Sequence, residues 1–96
     1  MSSQQQREVK VKISDEILRG CYANTLLVAH TAEEFVLDFI LTLPPQAVCN
    51  ARVLIHPGHL KRVIQALQQN LARYEAAHGT VTAAPEPGPG AIGFAN

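Results

Sequence analysis

The chain has 96 residues, which suits one domain, with no formal net charge, 47% apolar residues and 17% charged ones. That balance excludes a disordered chain, and the lack of a basic excess speaks against a dedicated nucleic-acid binder. Cys21 and Cys49 lack CxxC spacing, no stretch reads as a secretory signal, and the run from Phe35 to Leu43 is too short to span a bilayer; a cytoplasmic protein with reduced, core-filling thiols is expected.

Residues 1–7 read as a flexible polar leader, residues 8–79 as a single domain and residues 80–96 as a flexible tail rich in Pro and Gly. From Glu8 the sequence EVKVKI sets Val9, Val11 and Ile13 against Lys10 and Lys12. This period of two predicts a strand with one wet face, and its lysines suit a sheet edge. Ser14 is placed to cap a single helical turn and Gly20 to end it. Residues 21–31, CYANTLLVAHT, predict a second strand with Tyr22, Leu26 and Val28 on one face, and neither face is strongly polar. Thr31 and Glu34 have capping-box spacing, so the next link is expected to be one helical turn.

The segment FVLDFILTL, residues 35–43, puts Phe35, Leu37, Phe39, Leu41 and Leu43 on one face and Val36, Asp38, Ile40 and Thr42 on the other. Its alternation and its stop at Pro44-Pro45 predict a strand. Residues 44–47 read as a connection and VCNARVLI, residues 48–55, as a further strand. Pro57 then suits the first position of a helix, having fixed φ and no amide to leave unpaired. Leu60, Val63, Ile64, Leu67, Leu71 and Tyr74 follow at the helical period, Lys61, Arg62, Gln65 and Arg73 take the wet side, and Gly79 marks the end. The fold class expected is α+β: a small antiparallel sheet of about four strands followed by one long C-terminal amphipathic helix.

One helix covers one face of a sheet, yet the strands beginning at Cys21 and Phe35 are apolar on both faces. The uncovered surface predicts a homo-oligomer, dimer or higher, with Tyr22, Leu26, Val28, Phe35, Leu37, Phe39 and Leu41 as candidate interface residues. Ile92 and Phe94 follow a Pro-rich spacer and form a candidate docking peptide for a protein partner.

Catalytic chemistry has little to stand on. His56 and His59 are three apart, with Cys49 or His30 as a conceivable third ligand, but Pro57-Gly58 reads better as a strand-to-helix joint with His56 as cap, so no metal is assigned. Asp38 sits between Val36 and Ile40 and needs a partner, for which Arg52 on the neighbouring strand is placed. Glu33 and Glu34 share one solvated turn and cannot divide acid from base roles. Neither cysteine has a histidine in a nucleophile pattern, and GPGAIG follows no strand, so no catalytic residue, nucleotide or other cofactor is expected. Arg7, Lys10, Lys12, Lys61, Arg62 and Arg73 form a basic patch only where the first strand lies near the helix, and the few aromatic residues form no stacking platform, which leaves a nucleic-acid or regulatory role as a further alternative, ahead only of an enzyme.

The YAN of residues 22–24, the EFVLDF of residues 34–39 and the run ARVLIHPGHLKRVIQALQQNLARYE of residues 51–75 resemble the small bacterial domain-of-unknown-function family 3467, over Val9 to Gly79. The resemblance implies a stand-alone intracellular bacterial protein, and it transfers no catalytic residue. In shape alone, consecutive antiparallel strands before one long helix look like the oligomeric export chaperone SecB, which suggests a chaperone-type peptide binder as an alternative.

Overall fold

The computed structural model of the chain describes residues 7–85. It contains α1 (Asp15–Leu18), β1 (Thr25–His30), β2 (Phe35–Leu43), β3 (Gln46–Ile55) and α2 (Pro57–His78). The strands form one antiparallel sheet in the order β1-β2-β3, so β2 is central and β1 and β3 are edges. The α+β class and the C-terminal helix are as the periodicities predict.

Among the described residues the sheet has three strands, not four. Residues 8–13 alternate as a strand should, but they form no ladder in the chain. Val9 is 82% exposed and Val11 86%. A period of two satisfies a strand only when another backbone meets it, and among the described residues none does. The second strand is also shorter than its apolar run, because Asn24 stops it. The Asn24 side chain donates to the Thr42 carbonyl (3.0 Å) and accepts from the Thr42 amide (2.8 Å), taking the place of a further strand residue.

The Thr31–Glu34 link is a tight hairpin turn and not a helical one. Thr31 N–H donates to the Glu34 carbonyl at 2.9 Å, while Thr31 Oγ1 accepts from the Glu33 and Glu34 amides. The capping chemistry expected of Thr31 is present, but β2 begins at Phe35 before a helix can propagate. Pro44 and Pro45 alone make the next turn, which lengthens β3 to start at Gln46. Phe39 faces Ala51 and Ile40 faces Cys49, so Asn50 is an extra residue that bulges β3.

The two helices start and stop as their end residues dictate. Ser14 Oγ accepts from Ile17 N–H at 3.3 Å, and Gly20 leaves α1 with φ +74°, which a side chain would disfavour. His56 Nδ1 accepts from Gly58 N–H at 3.0 Å, capping α2 directly before Pro57. A Cβ on residue 58 would lie 3.3 Å from that nitrogen, so glycine permits the close imidazole. At the far end Gly79 N–H donates to the Glu75 carbonyl, and the Glu75 carboxylate accepts from Val81 N–H.

Burial concentrates on the central strand. Among the described residues only Leu37 and Ile40 are buried apolar side chains, at 8% and 1% exposure. Leu60 and Val63 in the first turns of α2 are half-buried. Further along its stripe, Ile64, Leu67, Leu71 and Tyr74 are exposed, Leu67 by 66%. The helix therefore covers less of the sheet than its length allows.

Candidate functional site

Facing residues in an antiparallel ladder share a side of the sheet. One side carries Leu26, Val28 and His30 from β1, Phe35, Leu37 and Phe39 from β2, and Ala51, Val53 and Ile55 from β3. The other carries Leu27 and Ala29, Val36, Asp38 and Ile40, and Arg52 and Leu54. Asp38 thus faces Arg52, and the predicted pair forms with two contacts: Arg52 Nε to Oδ1 at 2.7 Å and Nη2 to Oδ2 at 3.0 Å. Asp38 is buried, while the Arg52 side chain is half open to solvent. The guanidinium holds the Asp38 carboxyl below the usual carboxylate range, outweighing the burial that pushes it up. The forked geometry satisfies both carboxylate oxygens, which fits a fixed structural pair and not a proton carrier.

Cys49 lies at the margin of this pair, its Sγ 3.9 Å from Asp38 Oδ1 and 3.6 Å from the Ala51 carbonyl. Both cysteines are free and exposed, contrary to the core-filling role expected of them. Cys21 falls in the connection before β1, and Cys49 stands on edge strand β3 next to the bulge, and neither position lies under packed chain. Among the described residues no three His, Cys, Asp or Glu side chains gather in a metal-binding group. His56 is engaged at the helix cap, and His30 stacks at a tilt on Phe35 with ring centroids 5.1 Å apart. An open depression of about 290 Å³ beside Arg19, Gly20, Cys21 and Tyr22 places no acid next to a base.

The seven candidate interface residues fall into two groups. Tyr22, Leu26 and Val28 are exposed, whereas Leu37 is buried and Phe35, Phe39 and Leu41 are half-buried. Tyr22 stands outside β1, where the Asn50 side chain donates to its carbonyl at 2.7 Å. The roles of Asn24 and Asn50 were not read from the sequence. A bulge and a strand-mimicking side chain depend on register, and only the pair of asparagines flanking apolar runs hinted at them. Ile92 and Phe94 lie outside the described residues. Lys10 and Lys12 sit on the unpaired segment before α1. Among the described residues no helix is long and apolar enough to cross a membrane.

The fold and its surfaces define a small antiparallel α+β domain with one ion pair within the sheet and a large uncovered apolar surface. The family model described as "Protein of unknown function (DUF3467)" matches residues 1–83, and the chain belongs to that family. No curated protein and no solved structure matches the chain, so the likeness in shape to SecB has no support from these comparisons.

Proposed function

We propose that this protein is a non-enzymatic, homo-oligomeric module that binds proteins or scaffolds them. The observation that carries this reading is the mismatch between apolar pattern and burial. Two buried apolar side chains among the described residues are too small a core for a domain of this length, which must offset about 1–2 kcal/mol of backbone entropy per residue. The exposed stripe of α2 and the exposed Leu26, Val28 and Val53 supply surface that a second copy would cover. Asp38, the buried carboxylate of the sheet, is held by Arg52 through both oxygens and is not poised as an acid or base.

Light scattering across micromolar concentrations tests the oligomer, and a monomer throughout would remove the reading. For the binding function, capture from native lysate by the full chain and by a chain lacking residues 83–96 would show whether the tail recruits a partner. Equal recovery of the same proteins by both would rule the tail out. The uncovered apolar face also favours a second reading, a chaperone-type peptide binder. That reading requires suppressed aggregation of an unfolded client at equimolar subunits, and no suppression would end it.

A further inference from the structure

We propose that residues 8–13 of each copy add as a fourth strand to the β1 edge of a second copy, so that two copies exchange these segments reciprocally. The inference rests on the homo-oligomeric reading above and states how the copies join.

The donor segment has the pattern of a strand and, among the described residues, none of its bonds. Val9, Val11 and Ile13 alternate with Lys10 and Lys12, all are exposed, and no residue of the segment takes part in a ladder. The acceptor edge has the complementary defect. Thr31 and Glu34 form a hydrogen-bonded pair, which sets the phase of the β1–β2 ladder. Leu27 and Ala29 therefore direct their amides and carbonyls to β2, and Leu26, Val28 and His30 direct theirs to the open edge. β1 has six residues, as does the segment 8–13, and its sequence TLLVAH contains neither proline nor lysine to blunt the edge.

The other edge is a poorer acceptor. Asn50 bulges β3, and its side chain holds the carbonyl of Tyr22. Among the described residues the segment 8–13 leaves the β1 edge of its own sheet unpaired, so the strand that fills that edge comes from another copy. Seated with Val9, Val11 and Ile13 on the side of Leu26 and Val28, the donor strand turns Lys10 and Lys12 to the other side. A slip of one residue would reverse every side chain, so the alternation fixes which side of the sheet each donor residue takes.

The test is amide hydrogen exchange by NMR on the full chain at a concentration where light scattering finds the oligomer. Leu26, Val28 and His30 are expected to be protected as strongly as Leu27 and Ala29. Free exchange at those three positions in an intact oligomer would overturn strand addition while leaving the oligomer standing, whereas a full chain that stays monomeric would overturn both. Protection in a monomer would mean pairing within one chain and would overturn the exchange. Protection that arises only when an unfolded polypeptide is added would mean that the edge takes a client, again overturning it. As a second variant, Val11→Pro removes a ladder donor without touching the rest of the fold, and is expected to weaken dimerisation about tenfold or more; an unchanged dissociation constant would count against the proposal.

Discussion

Asp38 shows how a charge is tolerated among apolar neighbours. Val36 and Ile40 share its side of β2, and the carboxylate stays ionised there because Arg52 meets it with two hydrogen bonds. Its proton affinity is lowered on folding, so the pair stabilises the fold at any pH above the ordinary carboxylate value of about 4. That contribution disappears as pH falls through the lower folded value. Asp38→Asn is therefore expected to lower the urea midpoint at pH 7 and to shrink the difference between the midpoints at pH 7 and pH 3. Equal midpoints for variant and parent at pH 7 would show the pair to be inert. At the other end of β3, His56→Ala removes the acceptor that caps α2 and should cost about 1 kcal/mol in the same measurement.

The elements of this chain differ in how far their surroundings complete them. β2 is flanked on both sides and holds Leu37, Asp38 and Ile40, the buried side chains among the described residues. α2 is capped at both ends and regular in its stripe, yet Leu67 and Leu71 remain exposed in the single chain. A leucine on a wet surface can be changed within about 0.5 kcal/mol, whereas one covered by a partner costs about 2–5 kcal/mol when cut to alanine. Leu71→Ala is expected to fall in the second range by urea unfolding at fixed protein concentration, and Arg62→Ala, on the opposite side of the helix, in the first. Similar small effects for both would place the stripe in solvent.

At the scale of the molecule, stability and assembly are expected to be one property. Only Leu37 and Ile40 are buried apolar side chains among the described residues, and if, as proposed, another copy completes the core, unfolding depends on concentration by mass action. Each tenfold rise in concentration should add about 1.4 kcal/mol to the stability of a dimer and raise Tm by a few degrees. A scanning calorimetry series from micromolar to millimolar protein reads this directly, and a constant Tm would indicate a self-sufficient monomer.

The sequence by itself determined whatever depends on neighbours along the chain. The 3.6-residue stripe from Leu60 to Tyr74, the start at Pro57, the stop at Gly79 and the cap at Ser14 are local devices, and all appear where their spacing put them. The Asp38–Arg52 pair was legible because a lone carboxylate and a lone guanidinium stood on adjacent strands. Tertiary structure alone decided the rest. The bulge at Asn50, the clamp of Asn24 on Thr42 and the exclusion of residues 8–13 from the sheet are matters of which backbone lies beside which. Alternation along EVKVKI specifies a strand but not its neighbour, since hydrogen bonds between strands join residues that the chain's order does not bring together.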